Sequence, residues 1–141
     1  MRKVLFDTNI ILDVILERQP FFLDSQKVIA LVGEDITGYL NPISLVNIYY
    51  IVRKIKGIES TKEFIYALMD TFEITDLNKE ICENSLKSER IDFEDAVQEF
   101  SAIYSDCEII VTRNVADFKN SNLQILEPAK FIEWLDKNEI N

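Results

Sequence analysis

The chain has 141 residues, 48% hydrophobic and 11% aromatic, which suits one core-forming domain and excludes an intrinsically disordered chain. Its 15 Lys and Arg against 25 Asp and Glu leave a formal net charge of −10, which argues against undirected binding to nucleic acid. It contains no histidine, so His-ligated zinc and Ser-His-Asp or Cys-His nucleophilic catalysis are excluded.

Lys3-Val4-Leu5-Phe6 is a short apolar run fit for a buried strand. Asp7-Thr8-Asn9 follows, and Ile10, Ile11, Val14 and Ile15 recur at helical spacing. The strand is therefore expected to end at Asp7 and a helix to begin near Thr8 or Asn9. The same polar residues interrupt the apolar start, so no export signal is read and a cytoplasmic location is expected. Pro20 opens a predicted helix over Phe21 to Val32, closed by Gly33. Ile36–Leu40 reads as a second strand. Pro42-Ile43-Ser44 starts a helix that runs to Lys56 and stops at Gly57. Ser60, three residues ahead of Glu63, makes a capping-box pattern for a helix through Met69. Phe72–Thr75 is a strand candidate, and a helix from Leu77 or Asn78 to near Lys87 follows. Asp92-Phe93-Glu94-Asp95 leads a helix through Tyr104, and Glu108–Thr112 is a buried strand. Leu123–Leu126 is a short strand, and Pro128 opens a last helix through Trp134 and Leu135.

This order predicts a single α/β domain over 1–141, a mostly parallel sheet flanked by helices. Sites in such sheets form at the carboxyl ends of the strands. The apolar runs fall far short of the roughly 20 residues that span a membrane, so no membrane association is expected. Cys82 and Cys107 form no CxxC pair and are expected to be free, buried thiols in a reducing compartment.

Three groups of polar residues fall at those carboxyl ends. Asp7 closes the first strand, with Thr8 and Asn9 behind it; Thr112-Arg113-Asn114 closes a later one, with Asp117 beyond; and Asp92, Glu94 and Asp95 begin the helix before that strand. Each has an ordinary reading, as a helix cap, a dipole complement or turn chemistry. Brought together, however, like-charged carboxylates repel, and their desolvation is costly. A divalent cation among them removes that cost, and hard Mg2+ or Mn2+ prefers oxygen ligands.

In this order and spacing Leu5-Phe6-Asp7-Thr8-Asn9, Asp92-Phe93-Glu94-Asp95-Ala96 and Val111-Thr112-Arg113-Asn114 with Asp117-Phe118 resemble the PIN domain over essentially the whole chain. The resemblance is nearest to the branch that includes VapC-type toxins of toxin–antitoxin pairs. It implies a three-layer sandwich and a Mg2+- or Mn2+-dependent endoribonuclease, with RNA as substrate and an antitoxin protein as partner. Asp7, Asp95 and Asp117 match the family's metal-binding aspartates. Asn9, Thr112 and Asn114 match supporting positions, and Asp92, a further supporting residue, and Glu94 match more loosely. One departure stands out. Where the family usually carries a Glu in the helix after the second strand, this chain has Asn47, which offers a carbonyl oxygen and no charge.

Two other readings stay beside this one. A non-catalytic or weakly active PIN-like module would bind RNA or a protein through a site weakened at Asn47. A magnesium-dependent phosphatase or receiver-like domain is disfavoured, because Asp7 has no adjacent acidic partner and the late strand ends in Thr112-Arg113-Asn114 where such a domain wants a Lys. Arg53, Lys54, Lys56, Arg90 and Arg113 are the basic residues that could meet a phosphate backbone, with Arg113 nearest the acidic group. Apolar residues at Tyr49, Val52, Phe64 and Leu68 are expected to bury one face of a homodimer.

Overall fold

The computed structural model describes residues 1–139, so the last two residues of the expected 1–141 domain lie outside the described residues. The chain runs β1 (Arg2–Phe6), α1 (Thr8–Ile15), α2 (Phe22–Ile29), β2 (Ile36–Leu40), α3 (Pro42–Lys56), α4 (Ile58–Thr71) and β3 (Glu73–Ile74). It continues with α5 (Lys79–Lys87), α6 (Phe93–Tyr104), β4 (Ile109–Val111), a 3-10 turn (Val115–Phe118), β5 (Gln124–Leu126) and α7 (Pro128–Glu139).

The strands form one sheet in the order β3-β2-β1-β4-β5, and every pairing is parallel. Side chains alternate across it. Val4, Phe6, Ile109 and Val111 join a cluster with Ile10 and Ile11 of α1, Val28 of α2, Ile48 and Val52 of α3, and Phe131 of α7. Leu5 and Ile110 face the other way, with Ala102 of α6, Cys107 and Phe118. Burial on both faces is why these strands read as continuous apolar runs. At roughly 1.5–3 kcal/mol for each fully buried side chain, the two clusters set the three-layer arrangement.

Asn41 caps α3: its Oδ1 accepts from the Ile43 N–H at 2.8 Å, and its Nδ2 donates to Ser101 Oγ at 2.6 Å, which ties α3 to α6. Thr8 and Ser44 hydroxyls, 2.8 Å apart, join the starts of α1 and α3. In β2, a Cβ on Gly38 would sit 2.8 Å from the Phe72 ring and 2.9 Å from Val32, so this close approach needs glycine.

Several expectations are corrected. The second helix ends at Ile29, because Ala30–Gly33 turns the chain and the Gly33 N–H donates to the Ile36 carbonyl at 2.8 Å. Ser60 lies inside α4 and caps nothing. Gly57, at φ +83°, ends α3 and starts α4, and no side-chain cap is used there. Cys107 is buried, but Cys82 is only half-buried. Val52 is fully buried within the core of one chain, with Phe64 and Leu68 packed against that core, so these are not free to form a dimer face. Among the described residues no helix is long and apolar enough to cross a membrane.

Candidate active site

Parallel pairing puts the carboxyl ends of β1 and β4 side by side, and so brings Asp7 against Thr112. Asp7 is buried and caps α1, its Oδ1 accepting from the Thr8 N–H at 2.7 Å. Its Oδ2 accepts from Thr112 Oγ1 at 2.7 Å, and Gln98 Nε2 donates to Oδ1 at 3.3 Å. Thr112 Oγ1 in turn accepts from the Asn114 N–H at 3.0 Å. Asp92 caps α6, its Oδ1 accepting from the Asp95 N–H at 2.9 Å. The partial positive charge of that helix end favours the acids in its first turn. From α3, Asn47 Nδ2 donates to Glu94 Oε1 at 2.9 Å.

These elements surround an open cavity of about 300 Å³ lined by Asp7, Asn9, Asn47, Asp92, Glu94, Asp95, Asn114 and Asp117. A neighbouring cavity of about 600 Å³ shares Asp92, Asp95 and Asp117. Five carboxylates thus open onto one space. Burial, opposed by the Thr112 and Thr8 hydrogen bonds and increased by Asp117, raises the Asp7 carboxyl above its ordinary range. Burial, then Asp92 and Asp7, raises Glu94, with the Asn47 hydrogen bond opposing. Asp95 is pushed up to about 7, first by burial and then by Asp92, Asp117, Asp7 and Glu94. Excess negative charge in a shared space, with carboxylate and amide oxygens around it, fits a hard, oxygen-preferring cation. Asp7, Asp95 and Asp117 lie at the same end of the sheet, yet among the described residues no three Asp, Glu or Cys side chains form a ready-made metal cluster.

Thr112 and the basic residues singled out from sequence, Arg53, Lys54, Lys56, Arg90 and Arg113, do not line this cavity. Thr112 is buried behind Asp7 and orients it. Arg113 points to Asp13, with Nε donating to Oδ2 at 2.7 Å and Nη2 to Oδ1 at 3.1 Å, and its guanidinium lies 3.9 Å over the Phe21 ring. A fully buried carboxylate demands a cation, which explains why Arg113 is not a free phosphate contact. Arg90 is engaged as well. It grips Glu99 through Nε at 2.6 Å and Nη2 at 2.9 Å, and its Nη1 donates to the Asp117 carbonyl at 3.1 Å.

Gln98, Ser44, Asp13 and Glu99 were missed by sequence reasoning. Gln98 had a signal, being one turn beyond Asp95 on the same helix. Asp13 had another, as an acid inside the apolar run Ile10-Ile11-Leu12-Asp13-Val14-Ile15.

Solved structures share this fold. VapBC2 from Rickettsia felis, bound to a promoter DNA fragment, is 20% identical, with 89% of this chain and 98% of that chain covered and a TM-score of 0.69. VapBC-1 from nontypeable Haemophilus influenzae is 18% identical, with 91% and 99% covered and a TM-score of 0.69. A toxin–antitoxin complex from Klebsiella pneumoniae is 23% identical, with 89% and 97% covered and a TM-score of 0.68. At these identities the likeness is one of fold. No curated protein matches the chain. Residues 3–116, which run from β1 into the 3-10 turn and carry Asp7, Asp95 and Asn114, match the PIN domain family, and the chain belongs to it.

Proposed function

We propose that this chain is a metal-dependent endoribonuclease that hydrolyses RNA phosphodiester bonds and acts in the cytoplasm as the toxin of a toxin–antitoxin pair. The observation that carries this reading is the set of five carboxylates opening onto one cavity at the carboxyl ends of β1 and β4. Asp7, Asp95 and Asp117 would hold Mg2+ or Mn2+. Bound there, the ion supplies activation of a water and neutralisation of phosphate charge. Asn9, Asp92 and Asn114 line the same space, and Thr112 fixes the rotamer of Asp7. Support for an antitoxin protein as partner comes from the solved structures of like fold, one of which is described as a toxin–antitoxin complex. We also propose a homodimer.

The test is cleavage of single-stranded RNA with Mn2+ or Mg2+. Asp7→Asn should lower the rate by more than about 100-fold, since even the outer partners of metal ligands are worth about 10–100-fold. Chelation by EDTA should abolish cleavage. Equal rates for wild type and variant, or cleavage in EDTA, would overturn the proposal. Asn47 favours a second reading, a weakly active or non-catalytic binding module, because it brings an amide where the resemblance places a carboxylate. Metal uptake without RNA cleavage would select that reading.

A further inference from the structure

The amide of Asn47 is not idle. Its Nδ2 crosses from α3 to α6 and donates to Glu94 Oε1 at 2.9 Å. Glu94 lines the same cavity as Asp7, Asp95 and Asp117. The Asp92 cap fixes the backbone of the first turn of α6, and with it the origin of the Glu94 side chain. A first-turn acid would satisfy the helix dipole equally well pointing into solvent. Glu94 stays exposed, but its carboxylate is tied at the cavity wall to a neutral donor from another helix, near Asp92 and Asp7, which repel it.

We propose that Glu94 is a further metal-ligating carboxylate of this cavity and that Asn47 is its positioning residue, so that the charge absent from α3 is delivered by α6. The proposal rests on the reading of the cavity as a divalent-cation site. With Nδ2 committed to Glu94, Asn47 retains its carbonyl oxygen as the one atom it can offer a cation. The pair therefore behaves as a unit, one member supplying charge and the other direction.

Exchanging the two chemistries tests this. Wild type, Glu94→Gln, the double variant Asn47→Glu/Glu94→Gln and Asp7→Asn are compared by calorimetric titration with Mn2+ and by thermal melts with and without it. Glu94→Gln keeps the length of the side chain and an oxygen for Asn47, but not the charge. It should weaken Mn2+ binding about tenfold, the scale on which ligand charge tunes such sites. It should also raise the metal-free melting temperature, because a like charge has left the cavity. The double variant restores the charge on the α3 side and keeps the hydrogen bond with donor and acceptor exchanged, so affinity should return to within about threefold of wild type, a partial loss reflecting the altered ligand geometry. Wild-type affinity in Glu94→Gln with a lowered metal-free melting temperature would overturn the proposal, since Glu94 would then be a helix-end residue only. A double variant that binds no better than Glu94→Gln would overturn it too. Wild type that takes up no Mn2+ overturns the cation-site reading and this assignment together. Binding lost in Asp7→Asn but unchanged in Glu94→Gln overturns the assignment of Glu94 alone.

Discussion

Asp95 carries the largest electrostatic strain resolved at the cavity. Its carboxyl is pushed from an ordinary 3.8 up to about 7, by burial first and then by Asp92, Asp117, Asp7 and Glu94. The folded protein therefore prefers the neutral form. That preference stabilises the fold fully below the ordinary value and is lost as pH rises through about 7. Asp7 and Glu94, also raised, act in the same direction. Metal-free protein is thus expected to melt at a higher temperature at pH 5 than at pH 8 from this source. Asp95→Asn should flatten the dependence, with its gain largest at pH 8. Scanning calorimetry at the two pH values decides it, and equal slopes for wild type and variant would show that the Asp95 charge is not strained. Bound cation favours the ionised form and should reverse the sign, making Mn2+ most stabilising at high pH.

Between elements, two arginine clamps hold the parts that carry the acids. Arg113 fastens the segment after β4 to Asp13 of α1, and Arg90 fastens the 3-10 turn of Asp117 to Glu99 of α6. Arg113→Ala would leave a fully buried carboxylate without its cation, a loss of about 3–5 kcal/mol. Adding Asp13→Asn should recover part of that loss, because the stranded charge is gone. Urea unfolding of the single and double variants measures both, and a single variant as stable as wild type would remove the clamp. These clamps are also where sequence reading stops. The strands at residues 3–6 and 109–111 are legible, since a strand buried on both faces leaves an apolar run, whereas the strand at 36–40 is broken by Thr37 and Gly38 and gives a weaker pattern. Asp7 and Asp92 are legible as residues at helix starts, and their common end of the sheet follows from parallel order. Asp13 and Arg113 lie one hundred positions apart, and no local pattern pairs them. Without that pairing Arg113 looks like a free cation beside the acids. Ser60 misleads for a related reason: the backbone reversal at Gly57 starts α4 without a side-chain cap, and no residue spacing reports it.

At the scale of the molecule, apolar side chains remain on the α3–α4 pair. Leu45, Val46, Tyr49 and Tyr50 of α3 border a shallow cavity of about 280 Å³ with Ile65 of α4. Val46 and Tyr50 are more than half exposed, at 55% and 52%. Exposed apolar residues are ordinary when scattered, but these share one depression, which keeps only Tyr49 of the residues expected from sequence to meet a second copy. Sedimentation velocity should show a dimer at micromolar concentration, and Tyr50→Glu should shift it toward monomer. Wild type that sediments as a monomer would remove the dimer. The order of the sheet has a consequence for how the chain is made. β1 is the central strand, paired with β2, which ends at Leu40, and with β4, which begins at Ile109. A nascent chain therefore carries its first strand with one edge unfilled while the intervening segment is translated, roughly 3–14 s at about 5–20 residues per second. During that interval the apolar edge of Val4, Leu5 and Phe6 is open to wrong pairing. Asp7 has no Thr112 to orient it until β4 has been made, so the acidic cavity is assembled only after α6 and β4 have both left the ribosome.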